Sequence, residues 1–88
     1  MTDINLIHQF HYAARNGDEN TVRSLLLTSK VNINDKNEYS GYTALMHAVG
    51  NNNESTVSLL IDKGADINMK DNNVSIIVFR LYVIIIII

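Results

Sequence analysis

The 88-residue chain has no cysteine, which removes disulfide scaffolds, thiol nucleophiles and thiolate metal sites from consideration and fits a reducing compartment. Cationic charge is also sparse. Seven Lys and Arg residues against nine Asp and Glu give a formal net charge of -2. That balance leaves no electrostatic footprint for nucleic acid and no basic amphipathic helix for a membrane surface. The opening Met1-Thr2-Asp3-Ile4-Asn5 has no basic stretch leading into a long apolar run, so a cytoplasmic location is expected rather than secretion by a signal peptide. Two Asn-x-Ser sequences, at Asn53 and Asn73, are accordingly read as chance products of an asparagine-rich chain. The four glycines are scattered at turn positions, and no phosphate loop, Gly-x-Ser-x-Gly elbow or His-Glu-x-x-His helix occurs. The paired carboxylates Asp18 and Glu19 read as compensation of a helix dipole. No cofactor is implied and no enzyme is expected.

What is present is concentrated between Gly41 and Asn68. Thr43 follows a glycine and carries a hydroxyl that can accept from the free N–H groups of a starting helix. Leu45, Ala48 and Val49 then recur at i, i+3 and i+4, until Gly50-Asn51-Asn52-Asn53 interrupts them with turn-forming residues. A second helix is predicted with Val57, Leu59, Leu60 and Ile61 on its buried side. Gly64 stands where a left-handed residue closes such a helix, and Ala65-Asp66-Ile67-Asn68 leads outward as an extended loop.

This stretch strongly resembles an ankyrin repeat, whose pattern runs Gly-x-Thr-Pro-Leu-His-x-Ala-Ala-x-x-Gly-His and then Val-x-Leu-Leu-Leu-x-x-Gly-Ala-Asp-Val-Asn. Ala44 replaces the proline of that pattern, Met46 its histidine and Asn52 a turn glycine. Laid over the start of the chain, the same pattern meets Phe10-His11-Tyr12-Ala13-Ala14-Arg15-Asn16-Gly17. Asp18 then caps a second helix whose apolar side is Val22, Leu25 and Leu26, and Ser29-Lys30 takes the place of the closing glycine. Ala13 to Ala48 and Val22 to Val57 are both 35 residues apart and Asn34 to Asn68 is 34, against a family period of about 33. Two single-residue insertions in loops account for the excess. Ile7 and His8 replace the Gly-x-Thr opening of repeat one, which reads as a terminal cap. The expected fold is all-α: a solenoid fragment of helix–turn–helix units with projecting loops over residues 1–73. Repeat one covers about residues 6–37 and repeat two about 38–71, ahead of an atypical hydrophobic tail at 74–88.

In that tail Val74 falls on the glycine position of a third repeat, Ile76 on the threonine, and Leu81 and Tyr82 on the close-packed alanines. Three readings stand for Ser75 to Ile88. A membrane anchor is opposed by Arg80 and by length, since a helix over 74–88 spans about 22 Å against a hydrocarbon core of about 30 Å. The segment can instead fold back over the exposed side of repeat two. Or a longer array has been cut short, which the abrupt loss of register and the terminal isoleucines favour. The β-branched, proline-free composition also marks an aggregation hazard.

His8 and His11 lie three apart and His47 lies near the equivalent of His11, yet no carboxylate completes a metal site. His11 falls on the family's structural histidine, which the resemblance implies bonds backbone and threonine groups; Asn68 falls on the asparagine that ties the loop. The resemblance implies non-catalytic protein–protein recognition through loop tips and the exposed side of the first helices. By position these are Arg15, Asn16, Glu38, Tyr39, Tyr42, Asn51, Asn72 and Asn73, with Tyr39 and Tyr42 foremost because aromatic residues concentrate binding energy. The expected partner is another protein, with membrane contact only through residues 74–88. Since about three repeats are ordinarily needed for stacking to offset ordering, a remnant without independent activity is the alternative.

Overall fold

Short polar side chains set where the helices begin. The Asp3 carboxylate accepts the N–H of Asn5 at 2.9 Å, Asp18 accepts that of Thr21 at 3.2 Å, and the Thr43 hydroxyl accepts that of Met46 at 3.3 Å. Each satisfies an N–H group that a first helical turn leaves free. In the computed structural model, which describes residues 3–69 and Ile85, they open α1 (Ile4–Asn16), α2 (Glu19–Leu27) and α3 (Ala44–Gly50). The fourth helix, α4 (Glu54–Asp62), follows Asn53, whose side chain makes no cap bond. No strand occurs among the described residues. The anchor, fold-back and truncation readings of the tail fall outside them.

All four helices end in the same way. After α1 the N–H of Gly17 reaches Ala14 O and that of Asp18 reaches Ala13 O; Ser29 and Lys30 repeat this on Leu26 and Leu25, Asn52 and Asn53 on Val49 and Ala48, and Gly64 and Ala65 on Ile61 and Leu60. This paired bonding closes a helix through one left-handed residue. Gly17 and Gly64 occupy it at φ 73° and 98°, while Ser29 and Asn52 are forced into it at 56°. The two non-glycine residues therefore stand where the repeat comparison put them.

Within each unit the helices pack as an antiparallel pair, and the units stack chiefly through α1 against α3. Ala13, Ala14 and Ala48 are buried, which lets these inner helices approach closely. Phe10, Leu45, Val22, Val57 and Leu60 fill the space around them. The predicted apolar faces are the buried ones, with Leu25, Leu26 and Ile61 at the partly covered margin.

The helix starts of the two repeats differ. Thr43 caps α3, but His8, 35 residues earlier, lies inside α1, which runs back to Asp3. Lacking a Thr at that position, repeat one is capped instead by Asp3, five residues upstream, and gains more than a turn of helix.

Candidate partner-binding surface

The loop between the repeats is organised by Asn37. Its N–H donates to Tyr42 O at 2.7 Å and its carbonyl accepts the N–H of Gly41 at 2.9 Å, closing the loop base. Its side-chain oxygen accepts the N–H groups of Tyr39 at 2.8 Å and Ser40 at 3.1 Å, so an Asx turn holds the tip. Ser40 Oγ accepts the Tyr42 N–H, and Gly41 takes the left-handed φ of 75° that the reversal requires. Tyr39 is thereby carried outward at 81% exposure on a fixed main chain. Glu38 beside it lies 3.5 Å from His8 of α1, a half-exposed pair of small energetic weight.

Tyr42 faces the other way. It is half-buried against the core, with its ring centroid 5.3 Å from that of His47. His47 in turn lies 5.2 Å from His11, so three rings form a tilted row between the repeats. His11, only 3% exposed, places Nε2 2.9 Å from the carbonyl of Asp35; because a carbonyl can only accept, that nitrogen carries the hydrogen. The backbone bond of the structural histidine is present, but a threonine bond is not. The Thr43 hydroxyl serves Met46, and His11 Nδ1 has no hydrogen-bond partner. Burial lowers the His11 pKa against the opposing pull of the Asp35 carbonyl and carboxylate. It also pushes that of His47 down to about 4, helped by the positive ends of His11 and Arg15.

The remaining sequence-predicted residues divide by environment. Arg15 and Asn16 are exposed at the end of α1, with Asn16 lining a shallow depression alongside His8 and Tyr12. Asn51 is exposed, and its amide donates to Arg15 O at 2.9 Å across the repeat junction. Asn53 does the same, donating to the carbonyls of Ala14 and Arg15. Asn72 and Asn73 lie outside the described residues. The extended loops carry a matched pair of Asx turns, Asn32 Oδ1 accepting from Asn34 N and Asp66 Oδ1 from Asn68 N. Asn34 Oδ1 also accepts the N–H of Asp66 at 2.9 Å, so the tie between loops is made by Asn34, the counterpart of Asn68 in repeat one.

These repeated caps, Asx turns and alanine-faced inner helices coincide with a family match, since residues 5–75 match the family described as ankyrin repeats (3 copies). The chain belongs to the ankyrin-repeat family. Ankyrin repeats are generally protein-interaction modules and typically non-enzymatic. The match extends over both described repeats and two residues beyond position 73. Among the described residues no group of three or more His, Cys, Asp or Glu side chains is placed to hold a metal ion. No helix among them is long and apolar enough to cross a membrane.

Asn37 and Asn53 escaped the sequence reading because asparagine is common throughout the chain. Asn37 precedes a Tyr-Ser-Gly turn at Asx-turn spacing, a signal that could have singled it out. For Asn53 the sequence offers only a turn residue, and its partners lie 38 and 39 positions away.

Proposed function

We propose that this ankyrin-repeat chain is a non-catalytic adaptor that recognises a protein partner through the loop of residues 37–42 and the exposed face of α1 that runs from His8, beside the loop, to Asn16. The observation that supports this reading is the fixed, outward Tyr39. An aromatic side chain at 81% exposure on a hydrogen-bonded loop loses little conformational freedom on docking. Glu38 and its partner His8 supply polar groups beside this anchor, and Arg15 and Asn16 extend the exposed polar surface farther along α1. Tyr42 contributes through the fold, because its ring is packed on His47.

The test is affinity capture on the whole chain, followed by calorimetric titration of each captured protein against the purified wild-type chain and Tyr39→Ala. An anchor of this kind predicts a loss of about tenfold or more in affinity with unchanged thermal stability. A partner bound equally by Tyr39→Ala and by a Glu38→Ala/Asn16→Ala variant would displace the binding surface from this loop.

A further inference from the structure

On the outer side of the stack, where none of the loop 37–42 residues reaches, an open groove of about 670 Å³ runs between the two repeats. It is lined by the apolar side chains of Leu26, Leu27 and Ile33, by Asn32, and by the cations Arg23 and Lys63. Arg23, Leu26 and Leu27 sit at i, i+3 and i+4 on α2 and so share one helix face. Among the described residues that line the groove none is a carboxylate.

Each cation has an ordinary explanation by itself. Lys63 stands at the C-terminal end of α4, where positive charge suits the dipole, and Arg23 lies 3.9 Å from Glu19 one turn earlier. Leu26 and Ile33 are likewise explained by packing against the core, but Leu27 is not. Leu27 is 85% exposed, and the equivalent position 35 residues later, in repeat two, is Asp62. Arg23 corresponds in the same way to Ser58. The repeat framework therefore demands neither an apolar residue at the first position nor a cation at the second; both belong to this groove. Since the Arg23–Glu19 pair is long and solvent-exposed, its guanidinium is available to a competing anion at little cost.

We propose that this groove is a second docking site, which takes a short acidic segment of a partner protein with leucine or phenylalanine side chains bracketed by carboxylates. The apolar side chains cover Leu26, Leu27 and Ile33, and the carboxylates reach Arg23 and Lys63. The charge pattern sets orientation and rejects basic peptides, while apolar burial supplies the affinity. Because this face is separate from the Tyr39 loop, both can be occupied together.

The experiment is selection of a phage-displayed library of random peptides of about twelve residues on the full-length chain. The expected winners combine Asp or Glu with Leu or Phe, and they shift the amide resonances of Leu26, Leu27 and Ile33. Arg23→Gln/Lys63→Gln and, separately, Leu27→Asp should weaken them by about tenfold or more, while circular dichroism confirms an intact fold. Tyr39→Ala should leave them unaffected. Neutral or basic winners, no winners, resonance shifts confined to residues 37–42, or binding undiminished in both groove variants would each overturn the proposal.

Discussion

Asn53 reaches across the repeat junction to the main-chain carbonyl of Arg15, and its amide shares itself with the carbonyl of Ala14. The Ala14 carbonyl also takes the Gly17 N–H and the Arg15 carbonyl the Asn51 amide, so Asn53 adds to bonds already present at the end of α1. A side chain in the turn between α3 and α4 thus binds the end of α1 in the previous repeat, close enough that a Cβ added at Gly17 would touch it. Asn53→Ala is expected to lower the unfolding free energy in urea by about 1 kcal/mol, since two cross-repeat hydrogen bonds are lost while the Asn51 amide still serves Arg15 O and the Gly17 N–H still serves Ala14 O. An exposed control, Asn20→Ala, should change it far less; equal losses would show that Asn53 is no clasp.

The same diversion leaves Thr56 without a partner. In repeat one, Thr21 Oγ1 donates to Asp18 Oδ2 at 2.7 Å; in repeat two the residue equivalent to Asp18 is Asn53, and the fully buried Thr56 Oγ1 has no hydrogen-bond partner. Thr56→Val keeps the shape and removes the stranded hydroxyl. Its expected effect is a gain of about 1 kcal/mol by chemical denaturation. Thr21→Val should destabilise, and a loss at both positions would contradict the contrast.

Ser29 closes α2 at φ 56°, the role that Gly64 plays for α4 at 98°. A side chain in this region costs about 1–2 kcal/mol, partly recovered because glycine is more costly to order. Ser29→Gly is therefore expected to raise stability by about 0.5–1 kcal/mol, and Gly64→Ser to lower it. Thermal melts of the two variants should move in opposite directions; parallel shifts would count against strain as the cause.

His47 and His11 make folding sensitive to acid. Both pKa values lie below the unfolded value of 6.5, that of His47 at about 4, chiefly through burial. The unfolded chain then binds more protons, so stability is full above about pH 6.5 and declines as pH falls toward 4. Arg15 and His8 add like charge, and Asp35 alone opposes the loss at His11. His47→Gln removes one titrating ring, so the drop in melting temperature between pH 7 and pH 4.5 should shrink. An unchanged pH profile would place the acid sensitivity elsewhere.

How far the chain could be read in advance depended on the range of the interaction. Thr43, Asp18, Asn52, Ser29 and Gly64 act on groups within a few residues, and their caps and left-handed turns follow from neighbours alone. Asp3 was passed over because the repeat pattern pointed to position 8 for the helix start. Tyr39 and Tyr42 look alike in sequence, yet one projects and the other packs on His47, because the Asn37 turn separates their directions. Asn51 reads as an exposed turn residue, but its amide is committed to Arg15, 36 positions away.

The sequence by itself determined the all-α repeat, the positions of most helix ends and which helix faces are apolar, since hydrophobic period and capping are local properties of the chain. Only the tertiary structure decided that Asn53 joins the repeats instead of capping α4, that Thr56 is stranded as a result, and that Leu27 and Lys63 line one groove. Stacking two units brings residues about 35 positions apart into contact, and local spacing along the chain does not record which of those distant backbone groups a side chain meets.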